Sequence, residues 1–106
     1  MTTAMYRQGD ILLVRVHAIP DGGRAVEAED GRLILARGEV TGHHHSVAVA
    51  DAELVDVEAR GVFLRIMEAT PLVHQEHAAI VLAPGAYEVR RQREYEPGEL
   101  PRQVAD

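Results

Sequence analysis

The sequence predicts a mostly β fold, a small single-domain barrel or sandwich of about seven short strands. Runs rich in Val, Ile and Leu recur along the chain, several of them alternating apolar with polar side chains every two residues. Gly- and Pro-containing turn signals separate these runs, and no stretch of ten residues has helical spacing. The length of 106 residues supports one core, because folding at this size removes roughly two-thirds of the unfolded chain's accessible surface.

Gly9-Asp10 opens the first ordered run, Ile11 to His17, with Leu12, Val14 and Val16 on one face and Ile11 and Leu13 on the other. Pro20-Asp21-Gly22-Gly23 sets a turn, and the small, acidic stretch from Arg24 to Asp30 reads as a mobile excursion. Leu33, Ile34 and Leu35 lie between Gly31 and Gly38 and read as a strand. After Thr41-Gly42 comes His43-His44-His45-Ser46-Val47-Ala48-Val49. If that run is extended, His43, His45, Val47 and Val49 share a face and His44 points the other way.

From Glu53 to Glu58, Glu53, Val55 and Val57 alternate with Leu54, Asp56 and Glu58, as in a half-buried strand with one apolar side. Ala59-Arg60-Gly61 reverses the chain into Val62 to Met67, which makes a hairpin. Ile80-Val81-Leu82 runs into the Ala83-Pro84-Gly85 turn, and Ala86 to Tyr95 is the longest expected strand. The tail from Glu96 to Asp106 has no periodicity and is expected to be loose or draped over a neighbour.

Composition excludes several functions. With a net charge of −6 and Arg90, Arg91 and Arg93 interleaved with Glu88, Glu94 and Glu96, the chain lacks the surplus of cations that tracking a phosphate backbone requires. Nucleic acid is therefore an unlikely partner. The absence of cysteine excludes disulfides and thiolate ligation. No run approaches the ~20 apolar residues of a membrane span, and the first ten residues lack an apolar leader, so a cytoplasmic location is the expectation. Aromatics are only 4% of residues, so the core is built from small aliphatics, and a homo-oligomer would supply additional buried surface.

The chemistry concentrates in histidine. Five of six histidines fall in two clusters, His43-His44-His45 and His74-Gln75-Glu76-His77. An H-x-H pair on one strand delivers two imidazoles to one side of a sheet, and a second segment about thirty residues downstream can supply the rest. His43, His45, His74 and His77 are the candidate metal ligands. Without cysteine the admissible ions are Zn²⁺, Fe²⁺, Ni²⁺ and Mn²⁺, with zinc first because it accepts three or four imidazoles. Glu76 is the candidate catalytic base for a metal-bound water, or else a ligand or the acceptor that orients a ring; Glu39 is a weaker candidate. The plain alternative is an exposed histidine turn and an unrelated capped loop. His17 reads as a strand-end residue, and Tyr87 and Tyr95 as core or interface.

The H-x-H pair, a later histidine and Pro84-Gly85-Ala86-Tyr87 resemble the cupin pattern, which implies a small β-barrel around a histidine metal centre. Where cupins place a Glu after the H-x-H this chain has Val49 and Ala50, and where their last histidine follows the Pro-Gly turn it has Tyr87 to Arg90. Gly38-Glu39-Val40-Thr41-Gly42-His43 and Gln92-Arg93-Glu94-Tyr95 are also similar to segments of small uncharacterised bacterial or phage proteins; that likeness implies no activity. Three functions compete: a metal-dependent hydrolase acting on a small molecule, a non-catalytic module closed by a structural metal, and an oligomer with histidines at its interface.

Overall fold

The computed structural model describes residues 5–38 and 42–91. It contains ten strands: β1 (Met5–Gln8), β2 (Ile11–Val16), β3 (Arg24–Ala25), β4 (Arg32–Arg37), β5 (His44–Ala48), β6 (Ala52–Val57), β7 (Gly61–Ile66), β8 (Thr70–Leu72), β9 (Ile80–Leu82) and β10 (Gly85–Arg91). A single 3-10 turn, Val49–Asp51, joins β5 to β6. No described helix is long and apolar enough to cross a membrane.

Six strands form one sheet in the order β1-β2-β10-β7-β6-β3. β1 and β3 remain as edges, so the barrel alternative is corrected: among the described residues the sheet does not close. The hairpins β4–β5 and β8–β9 are joined to each other through Ser46 and Val73, whose backbone groups exchange hydrogen bonds of 2.9 and 3.0 Å. Leu33, Val47, Leu72 and Leu82 from these hairpins meet Ile11, Leu13, Leu54, Leu64, Ile66 and Tyr87 from the large sheet in one aliphatic core.

The β6–β7 hairpin forms as expected, with Val57 opposite Gly61 across the reversal. Its buried face differs from expectation: Ala52 and Leu54 point into the core. Val55 and Val57 instead lie under the Gly22–Ala25 segment, where a Cβ on Gly23 would stand 2.2 Å from Val55 Cγ1. Glycine is needed there for close approach. The stretch expected to be a mobile excursion is therefore paired: Arg24 and Ala25 form β3 against β6, and the Val26 amide donates to the Leu54 carbonyl at 2.8 Å.

β1 was not expected. Gly9, at φ 58°, turns Met5–Gln8 back onto β2 in a two-residue hairpin. β10 sits between β2 and β7, as a central strand rich in branched and aromatic residues should. The remainder of the expected Ala86–Tyr95 strand beyond Arg91, and the tail from Glu96 to Asp106, lie outside the described residues. Arg90 pairs with Glu88 on the solvated face, but Arg91 turns the other way and holds Asp10.

Candidate metal centre

β5 alternates as the sequence predicts at His45 and Val47, which face the core, and at His44, which faces away and whose amide donates to Gln75 Oε1 at 2.8 Å; Val49, expected on the same face as His45 and Val47, instead enters the 3-10 turn and is 40% exposed. The bridge between β5 and β8 carries the chain directly into His74, so the segment after β8 lies beside the start of β5. The two histidine clusters meet there. Ring centroids are 4.4 Å apart for His45 and His74, 4.5 Å for His74 and His77, 6.2 Å for His45 and His77, and 5.6 Å for His43 and His74. His43 Nδ1 lies 3.2 Å from Glu76 Oε1 at the exposed rim.

The His45, His74 and His77 distances come close to a right triangle with its corner at His74. The midpoint of the long side is therefore half of 6.2 Å, about 3.1 Å, from all three rings. Ring positions converge, but ring orientations do not yet: among the described residues no three His, Asp or Glu donors are already gathered as a coordination shell. His74 explains part of this. Its Nδ1 accepts the backbone amides of Glu76 at 3.0 Å and His77 at 3.3 Å, so in this rotamer it caps its own turn and a neutral ring carries its proton on Nε2.

His45 is set differently. The Gln8 side-chain amide donates to the carbonyls of Leu72 at 2.8 Å and Ala78 at 2.9 Å, which leaves Gln8 Oε1 to accept from His45 Nδ1 at 2.8 Å. Two carbonyls can only be met by the NH₂ end of that amide, so the orientation is dictated by chemistry. The His45 proton is thereby held on Nδ1, and the Nε2 lone pair looks toward Asp10 Oδ1, 3.3 Å away and outside hydrogen-bond geometry. Arg91 Nε donates to the other Asp10 oxygen at 2.8 Å.

A family model described as a domain of unknown function, DUF8820, matches residues 7–92. The chain belongs to DUF8820. No curated protein and no solved structure matched it. The matched span takes in Gln8, Asp10, all four candidate histidines, Glu76 and Arg91, so the whole cluster lies inside the DUF8820 domain.

Among the candidates in this DUF8820 domain, His43, His45, His74, His77 and Glu76 are brought together. Glu39 falls outside the described residues, and His17 is an exposed residue just after β2. Gln8, Asp10 and Arg91 were missed. The one local sign of Gln8 was the alternation of Tyr6 and Gln8 against Met5 and Arg7, which places Gln8 on the core-facing side of a short strand.

Burial, followed by the neighbouring His74 charge, lowers the His45 pKa from 6.5 to about 4, against the pull of Asp10. Burial opposes ionisation of Asp10, but the hydrogen bond and charge of Arg91, with smaller help from His45, outweigh it and its pKa falls below 3.8. Both folded values lie below the unfolded ones, so both groups stabilise the fold at neutral pH and lose that contribution on acidification. The urea midpoint of chelator-treated protein is expected to fall as pH drops from 6.5 toward 4, as the unfolded state takes up a proton that buried His45 refuses. A midpoint that is flat across that window would contradict a neutral, buried His45.

Proposed function

We propose that this domain binds one divalent transition-metal ion where β5 and the segment after β8 bring His45, His74 and His77 together, with His43 and Glu76 at the rim. The observation that carries this reading is the ring triangle. A zinc-bound imidazole, with Zn–N of about 2.0–2.1 Å, sets its ring centre about 3.2 Å from the ion. One point lies about 3.1 Å from three imidazole centres drawn from segments about thirty residues apart, so the distances suit one ion, while the straight His45–point–His77 line must bend and the rings turn before the donors become tetrahedral. For ligation His74 must exchange its two backbone amide bonds for the ion by a side-chain rotation, which the exposed loop around Gln75 and Glu76 permits.

Zinc is the first expectation because it accepts nitrogen donors without demanding a fixed geometry. A hydrolytic role is the second step of the same reading. It is supported by Glu76, whose exposed carboxylate lies beside His43 at the solvent edge of the histidine cluster, where it can exchange protons with water. A purely structural ion would instead leave no position for a substrate.

Metal analysis of protein purified without an affinity tag decides the first step. Near-stoichiometric zinc is expected in the wild type and is expected to be lost in both His45→Ala and His74→Ala. Retention of metal in either variant would break the two clusters into unrelated features. Hydrolysis of activated esters by loaded protein, abolished in Glu76→Gln with metal content unchanged, would then separate the catalytic ion from the structural one.

A further inference from the structure

The polar pair beneath the histidines has a geometry that hydrogen bonding does not account for. Asp10 and His45 side chains are 5% and 2% exposed, and Asp10 Oδ1 and His45 Nε2 lie in ion-pair contact at an angle that falls short of a well-formed hydrogen bond, with no other described hydrogen-bond partner for either atom. Their separation is 3.3 Å, longer than the roughly 2.9 Å of an ordinary N–H···O bond. Two donors bound to one tetrahedral ion at 2.0–2.2 Å stand about 3.3–3.5 Å apart, which is the observed spacing.

We propose that Asp10 Oδ1 and His45 Nε2 ligate the same divalent cation, making the centre a mixed imidazole–carboxylate site rather than an all-histidine one. This rests on the metal-binding reading above and extends its ligand set. Gln8 holds His45 Nδ1–H and so keeps Nε2 free of a proton, while Arg91 occupies Asp10 Oδ2 and leaves Oδ1 to the ion. A neutral Nε2 facing a carboxylate oxygen is a repulsive contact that a cation between the two converts into an attractive one. With an oxygen donor replacing an imidazole, the site suits Zn²⁺, Fe²⁺ or Mn²⁺ and disfavours Cu⁺.

Asp10→Asn tests this with little change of shape. The asparagine carbonyl accepts Arg91, and its NH₂ donates to His45 Nε2, which removes the ligand and occupies the lone pair. In Zn²⁺ titrations against a chromophoric chelator, we expect Asp10→Asn to bind roughly 100-fold more weakly than wild type. Its metal-free form should melt somewhat lower than wild type at neutral pH, because Arg91 keeps a hydrogen bond but loses the carboxylate charge. Unchanged Zn²⁺ affinity in Asp10→Asn, with His45→Ala defective, would remove Asp10 from the shell and leave the histidine site standing. A wild type that binds no Zn²⁺ would overturn both readings. On the wild type itself, one equivalent of Zn²⁺ should shift the Asp10 carboxyl ¹³C resonance. An unmoved resonance with zinc bound would refute the proposal even if the variant failed to fold.

Discussion

Gln8→Leu is expected to lower the unfolding free energy by about 1–3 kcal/mol and, on the metal-binding reading proposed above, to weaken Zn²⁺ binding about 10–100-fold. The stability loss comes mainly from the buried Leu72 carbonyl, which loses its side-chain donor at about 1–3 kcal/mol, while the carbonyl of exposed Ala78 can turn to water. His45 escapes most of that penalty. Relieved of the Gln8 oxygen, it can carry its proton on Nε2 and, after a small ring rotation, donate to Asp10 Oδ1; on the proposed reading this costs metal affinity because the lone pair assigned to the ion is consumed. Urea denaturation of metal-free protein reads the first effect and chelator competition reads the second. A variant that is destabilised but binds Zn²⁺ as tightly as wild type would reduce Gln8 to a structural tie.

Tyr87→Ala is expected to cost about 3–5 kcal/mol, a large share of the stability of a domain this size. The Tyr87 ring is wholly buried in the central strand, packed edge-to-face on Tyr6 at 5.8 Å with the Arg15 guanidinium 5.6 Å from its centre. In a core otherwise made of small aliphatics, with Phe63 the only phenylalanine, no neighbour can expand to fill the space. The hydroxyl donates to the Ala83 carbonyl at 2.7 Å, so Tyr87→Phe isolates that bond and should cost only about 1 kcal/mol. Equal losses in the two variants would show that the hydroxyl, not the ring, carries the stability.

Much of this centre could be read locally. Placing His45 and Val47 on one face and His44 on the other needed only the period of an extended strand, and that period holds because the face away from Val47 is paired with polar Ser46 and Arg32. The β6 face was misread because Val55 and Val57 look like core residues. They are covered by a glycine-bearing loop from elsewhere in the chain, and Leu54 takes the interior. β1 and β8 were missed for a different reason. Met5–Gln8 is half polar and Thr70–Leu72 contains a proline, so neither has the branched apolar run that marks Ile80–Leu82, and they become strands only when β2 and β9 lie alongside them.

By itself the sequence determined a single mostly β domain, the strands that carry the aliphatic core, and the residues rich enough in nitrogen to form a centre. Those properties depend on side-chain type and on spacing of two to four residues, which are local. The tertiary structure decided which groups meet: Gln8 with His45 across 37 positions and Asp10 with Arg91 across 81. Hydrogen bonds between residues so far apart leave no trace in the chain order, because the sheet pairings that close the distance are chosen by the burial of the whole core and not by the residues they bring together.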